Sequence, residues 1–140
     1  MDTFYRFEIR VTDDMLDRNR HVNNVVYVQW MQDAAVRHAE AAGCTRLTLA
    51  AGASWVARHH HIEYLSPAFA GDTLAALTWV ATIGRVRSLR KYKFVRVRDQ
   101  AVLARGETDW VFVDARTGRP RAIPREIQEV FRIPAPTEEP

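Results

Sequence analysis

Along residues 4–11 the side chains alternate, Phe4, Arg6, Glu8 and Arg10 interleaving with Tyr5, Phe7, Ile9 and Val11, and this period of two predicts a half-buried strand. Residues 12–24 are polar and rich in Asp and Asn, whose side chains bond to nearby backbone, so a structured loop is expected. From residue 25 to 42, Val28, Met31, Ala35, Ala39 and Ala42 recur at three- and four-residue steps with Gln29, Gln32, Arg37 and Glu40 between them. That spacing predicts one long helix, with Gly43 as its stop. After Ser54 the chain reads as strands over 55–64, 73–83, 88–99 and 102–114, separated by Ser66-Pro67, Gly71-Asp72, Gly84 and Asp99-Gln100. Consecutive hairpins imply an antiparallel sheet, and one helix covers only one face of it. The expected class is therefore α+β, a long helix lying across a curved five-stranded sheet. Thr117-Gly118-Arg119-Pro120 forms a turn, Pro124 starts a short helix reaching Phe131, and residues 135–140 are expected to fray beyond a single domain of residues 1–134.

The composition narrows the picture. A chain of 140 residues with 47% hydrophobic content suits one domain with a real core. No apolar run approaches the roughly 20 residues of a membrane helix, and the first residues carry no apolar stretch of the signal-peptide kind, so a cytoplasmic location is expected. Cys44 is the single cysteine, which rules out an internal disulfide and a multi-cysteine metal site. The net charge of +3 and pI near 9.4 favour anionic partners, among them phosphorylated cofactors, acidic carrier proteins and nucleic acid, without choosing between them.

The chemistry concentrates in one segment, Asp17-Arg18-Asn19-Arg20-His21-Val22-Asn23-Asn24-Val25-Val26-Tyr27, where polar, chemically competent side chains crowd the approach to the helix. Here the chain resembles the hotdog-fold thioesterases, including the 4-hydroxybenzoyl-CoA thioesterase family, whose members carry an Asp in the loop entering the central helix. The spelling Asp-x-Asn-x-His-Val-Asn-Asn-x-x-Tyr is similar to that of acyl-ACP thioesterases, whose active-site Asp, Asn and His match Asp17, Asn19 and His21. Ile62-Glu63-Tyr64-Leu65-Ser66-Pro67-Ala68, Gly71-Asp72, the strand opening at Arg87-Ser88 and Thr117-Gly118-Arg119-Pro120 extend the resemblance over nearly the whole chain. Two departures stand out. Arg20 occupies a place where many CoA-thioesterase relatives have Gly, and no Glu matching the downstream catalytic residue of the plant enzymes lies between Leu65 and Asp72.

What such a reaction needs can be stated independently. A carboxylate must activate water or attack directly, and donors must face the oxygen that becomes negative in the tetrahedral state. Asp17 is the best carboxylate available. A helix start leaves amides unpaired and presents the positive end of its dipole, so the amides near Asn24 suit an oxyanion, and relatives place a donor at the matching position. The expected roles are Asp17 as general base, or as nucleophile forming a transient anhydride, with Asn19 and His21 orienting it, the water or the carbonyl. Taken singly, Asp17 and Asn19 are ordinary turn residues and Asn23 or Asn24 an ordinary helix cap; it is their combination with His21 that favours chemistry.

Around this centre, Asn23, Tyr27, His59 and His61 are expected to line the substrate site, Tyr27 together with Trp30 and Met31 also serving the core. His59 and His61 share a strand face, but no further ligands complete a metal site. Cys44 has no paired base and reads as structural. Arg85, Arg87, Arg90, Lys91, Lys93, Arg96 and Arg98 crowd one hairpin with Tyr92 and Phe94. A nucleic-acid track is one reading; alternation favours a solvated basic face, on which the resemblance implies that Arg87, Arg90 and Lys91 meet the phosphates of CoA. Coenzyme A or an acyl-carrier phosphopantetheine would arrive as part of the substrate, with no separate cofactor. The resemblance further implies a homodimer, or a dimer of dimers, with edge-paired sheets and a site spanning the interface, Asp17 from one subunit facing the strand around His59 to Glu63 of the other. A hotdog hydratase or dehydratase acting on acyl thioesters, and a non-catalytic acyl-CoA or nucleic-acid binder, are the alternatives.

Overall fold

The computed structural model describes residues 3–140. In chain order it comprises β1 (Tyr5–Arg10), a 3-10 turn (Asp13–Met15), α1 (Asn24–Ala41), α2 (Cys44–Ala50), β2 (Ala53–Tyr64), β3 (Thr73–Ile83), β4 (Arg87–Arg96), β5 (Val102–Asp114), α3 (Arg125–Gln128) and a second 3-10 turn (Pro136–Glu138). The strands form one sheet in the order β1-β3-β4-β5-β2, every pair antiparallel. The α+β class, with one long helix and a five-stranded antiparallel sheet, is as expected.

Strand alternation decides what faces the helix. On β4, Ser88, Arg90, Tyr92 and Phe94 are buried while Arg87, Leu89, Lys91 and Lys93 are more open. Phe94 meets Tyr27 at 5.4 Å and Trp30 at 6.0 Å between ring centroids, and Tyr27 and Trp30 pack edge-on at 4.9 Å. The stripe that α1 buries is Tyr27, Trp30, Met31, Ala34, Ala35 and His38. It lies partly round the helix from the expected line of Val28, Ala39 and Ala42, with Met31 and Ala34 fully buried at its centre and the rings of Tyr27 and Trp30 beside them. Close approach of helix to sheet requires Gly106 on β5: a Cβ there would stand 2.9 Å from Met31 Sδ and 3.3 Å from the His61 carbonyl oxygen.

Four local expectations are corrected. Gly43 does end α1, at φ +85, yet the chain turns directly into α2, which was not expected; seven residues are too few to establish a helical period. Cys44 and Thr48 bury the inner side of α2. The last long hairpin turns early, β4 ending at Arg96, whose guanidinium binds the Asp99 carboxylate. The helix after Pro124 spans only Arg125–Gln128. Residues 135–140 do not splay away: Glu139 accepts hydrogen bonds from Trp79 Nε1 at 2.9 Å and from Lys91 Nζ at 3.0 Å, tying the C-terminus to the outer face of the sheet.

The edge strand β2 is long and open. From Val56 to His61 every residue is exposed, although one side of the strand pairs with β5, with an irregularity between Ala57 and His59. Such an edge presents a row of backbone donors and acceptors. Among the described residues no helix is long and apolar enough to cross a membrane.

Candidate active site

The loop before α1 is built around the carboxylate of Asp17. Its backbone N–H donates to the His21 carbonyl at 2.8 Å, and Arg20 N–H returns to the Asp17 carbonyl at 3.0 Å. A bridge between Leu16 and Val22 closes the loop at its base. Inside this turn Asp17 Oδ1 accepts from the amides of Asn19 at 2.9 Å and His21 at 3.2 Å, which fixes the carboxylate and leaves Oδ2 without a partner among the described residues. Arg20 sits at φ +65, a left-handed conformation that suits glycine best, so the departure noted at this position is a local strain in an otherwise intact turn.

Asn23 caps α1, its side-chain oxygen accepting from Val25 N–H at 3.1 Å while its own N–H donates to the Met15 carbonyl at 2.8 Å. Asn24 is the first helical residue. Its carbonyl accepts from the Tyr64 hydroxyl at 2.8 Å, fastening the helix start to the end of β2, whereas its N–H meets no acceptor among the described residues. An open amide, backed by the positive helix end, is what an oxyanion requires. Val25 beside it is 73% exposed, an apolar side chain held out at the same spot.

The structure thus brings Asp17, Asn19, His21, Asn23 and Asn24 into one loop and cap. The link to Asp17, however, runs through the amides of Asn19 and His21 and not through their side chains. The His21 ring stands edge-on to Phe69 at 5.2 Å. Tyr27 is a core residue: its hydroxyl is buried without a hydrogen-bond partner among the described residues, and burial, reinforced by Tyr64 and Asp72, pushes its pKa up to about 12.

The remaining residues separate by strand face. His59, Arg87 and Asp109 form a cluster on the outer face, Arg87 Nε donating to Asp109 Oδ1 at 3.2 Å, its Nη2 to Oδ2, with His59 Nε2 3.7 Å from Oδ2. His61 and Lys91 flank Glu107 on the same face, Lys91 being paired with Glu139. His60 points the other way, its Nδ1 2.7 Å from Thr108 Oγ1, which also receives the Tyr92 hydroxyl at 3.0 Å; burial and then the neighbouring His59 lower its pKa. Among the described residues no three His, Cys, Asp or Glu side chains are grouped to hold a metal.

Arg90 contradicts its expected place on the solvated basic face. It is 5% exposed, and Nη1 lies 2.8 Å from His38 Nδ1 and 3.1 Å from Thr78 Oγ1. The reason is parity, since Arg90 shares the inward positions of Tyr92 and Phe94. Arg90 is among the residues lining a cavity of about 290 Å³ walled by α1, α2 and the inner sheet face, with Ala35, Thr48, Trp55, Val80 and Phe131 also in its lining. Sequence alternation could have revealed Arg90; the cavity, which depends on the unexpected α2, could not have been found that way. Asn24 and Ala35 are separated by roughly 17 Å of helix at 1.5 Å per residue, so the Asp17 loop and this cavity occupy different ends of α1.

Comparison with known proteins gives a consistent result. The profile of the thioesterase-like superfamily matches residues 10–131. A curated relative from Ruegeria pomeroyi, an L-carnitine dehydrogenase/betainyl-CoA thioesterase, is 29% identical over 115 residues, which cover 82% of this chain but only 23% of that protein's length. A probable thioesterase from Escherichia coli superposes with a TM-score of 0.83 at 22% identity, covering 89% of this chain and 94% of the other. A 1,4-dihydroxy-2-naphthoyl-CoA thioesterase from Synechocystis gives 0.80 at 18% identity, covering 91% and 94%. These likenesses establish the hotdog fold.

Proposed function

The chain belongs to the thioesterase-like superfamily, and we propose that it hydrolyses an acyl-CoA or acyl-carrier thioester to the free acid and the thiol. The observation that carries this reading is the Asp17 carboxylate, gripped at one oxygen by two amides while the other oxygen, like the Asn24 amide that the loop leads to, has no partner among the described residues.

In the general-base route Asp17 Oδ2 takes a proton from water as the water oxygen attacks the thioester carbonyl carbon. The carbonyl oxygen gains charge facing the Asn24 amide, the C–S bond breaks, and the proton passes to the departing thiolate. In the nucleophilic route the carboxylate itself attacks, the thiolate leaves, and water cleaves the resulting anhydride. A hydratase would call for a His side chain working with the carboxylate; here His21 meets Asp17 through its amide, which favours hydrolysis.

The site is completed by a second copy. Asp17 and the cavity lie at opposite ends of α1, and two chains paired antiparallel along their open β2 edges would set the carboxylate of each near the cavity of the other. The outer-face residues His59, His61, Arg87 and Lys91 would then meet the phosphates of CoA or of a carrier, the two cations exchanging Asp109 and Glu139 for phosphate oxygens. A dimer of dimers and a cytoplasmic setting fit the same reading.

A thiol-release assay over short, long and aromatic acyl-CoAs tests the proposal, with products identified by mass. Free acid and thiol in equal amounts are expected; hydration without thiol release, or no turnover of CoA and carrier thioesters alike, would overturn it. Single turnover in ¹⁸O-water separates the two routes, because only the anhydride route carries label into Asp17.

A further inference from the structure

The cavity beside Arg90 carries an electrostatic demand that its own walls do not meet. Among the described residues the guanidinium lies against His38 Nδ1, Thr78 Oγ1 and the ring of Phe131 at 5.4 Å. Among the described residues no carboxylate lies within 4.0 Å of Arg90. Arg87, Lys91, Arg96 and Arg132 each hold a carboxylate, whereas Arg90, like the less buried Arg121, does not. The single acidic residue in the cavity lining, Glu40, is exposed on α1 and outside that range. A cation removed from water costs free energy unless it is paired, so a buried guanidinium with no carboxylate beside it among the described residues is suited to receiving an anion. The rest of the lining is largely apolar, the chemistry of a pocket for a hydrocarbon chain.

Resting on the thioesterase reading above, we infer that this cavity receives the acyl group, and that Arg90 selects acyl thioesters bearing a carboxylate at the end remote from the thioester. The methylene chain would lie along Ala35, Val80 and Trp55, with the terminal carboxylate against the N–H groups of the guanidinium that do not bind His38 or Thr78. Burial lowers the pKa of Arg90, to about 10, which leaves it cationic at neutral pH. Pairing with a carboxylate is charge-assisted and directional, and for Arg commonly bidentate. An acyl chain ending in a methyl group would leave the guanidinium unpaired beneath it, so discrimination arises from the penalty on the wrong substrate as much as from attraction to the right one.

The test compares chains of equal length with and without the distal acid: adipoyl-CoA against hexanoyl-CoA, and glutaryl-CoA against pentanoyl-CoA, by thiol release. The wild-type protein is expected to favour the ω-carboxylated partner in kcat/KM by at least about 100-fold. Arg90→Met should abolish or reverse that ratio, and Arg90→Lys should restore part of it. A parallel calorimetric titration with free adipate and hexanoate reads the cavity without catalysis: adipate should bind the wild type and not Arg90→Met. If no thioester is turned over but this binding difference holds, the hydrolase reading fails and the anion site stands. Equal treatment of the paired substrates and of the paired acids by wild type and Arg90→Met, with folding confirmed by thermal denaturation, would overturn the inference.

Discussion

Arg20 and Cys44 illustrate how a single residue can be strained or silenced by its surroundings. Arg20 holds the one non-glycine left-handed conformation in the Asp17 turn, at φ +65. For a residue with a Cβ that geometry costs about 1–2 kcal/mol, while glycine would avoid it at about 0.5–1 kcal/mol of extra backbone entropy. Arg20→Gly should therefore stabilise the protein by up to about 1 kcal/mol in denaturant titrations without disturbing the Asp17 contacts; a destabilised variant would contradict the strain. Cys44 is 2% exposed, and burial raises its thiol pKa, with Thr48, Arg90 and Trp55 only partly opposing the rise. Because the thiolate is the reactive form, modification by a disulfide reagent should be slow in the native protein at pH 7–8. It should keep accelerating as pH climbs past the ordinary thiol range and become complete on unfolding; a native rate already saturated near neutrality would show the opposite shift.

At the level of elements, the strands and α1 follow from periods of two and about 3.6 that burial enforces, which is why the long segments were legible in the sequence. What was not legible depends on contacts between elements. α2 is too short to show a period and is held by burying Cys44 and Thr48. The tail is held by Trp79 and Lys91, about 50 to 60 residues earlier in the chain. The place of Arg90 follows parity and not charge, since Tyr92 and Phe94 mark its side of β4 as inward. The motif from Asp17 to Asn24 was readable because a turn and a helix cap are local structures, written in adjacent residues; that the grip on Asp17 comes from amides is a matter of geometry the letters do not carry. Gly106 shows a long-range contact of the same kind. An alanine there must displace Met31 or the His61 carbonyl, so Gly106→Ala should cost about 1–3 kcal/mol, seen as a fall of roughly 3–10 °C in Tm. An unchanged Tm would mean that the helix does not press on the sheet at this point.

For the molecule as a whole, the arrangement separates three tasks: a rigid carboxylate and an open amide at one end of α1, an apolar cavity holding a buried cation toward the other, and a bare strand edge through which a second copy would bring the two ends together. Dimerisation is thus part of the proposed chemistry, and sedimentation should report a mass near twice 16.1 kDa at the concentrations where activity is seen. The most direct test is the turnover number for thiol release by Asp17→Asn beside the wild type, with mass and Tm determined on the same preparations. The account predicts a fall of roughly 10²–10⁴-fold, the range ascribed to a positioned acid–base group, with dimer and stability preserved. Turnover within a few-fold of wild type, or loss of activity that merely follows loss of the dimer, would contradict it.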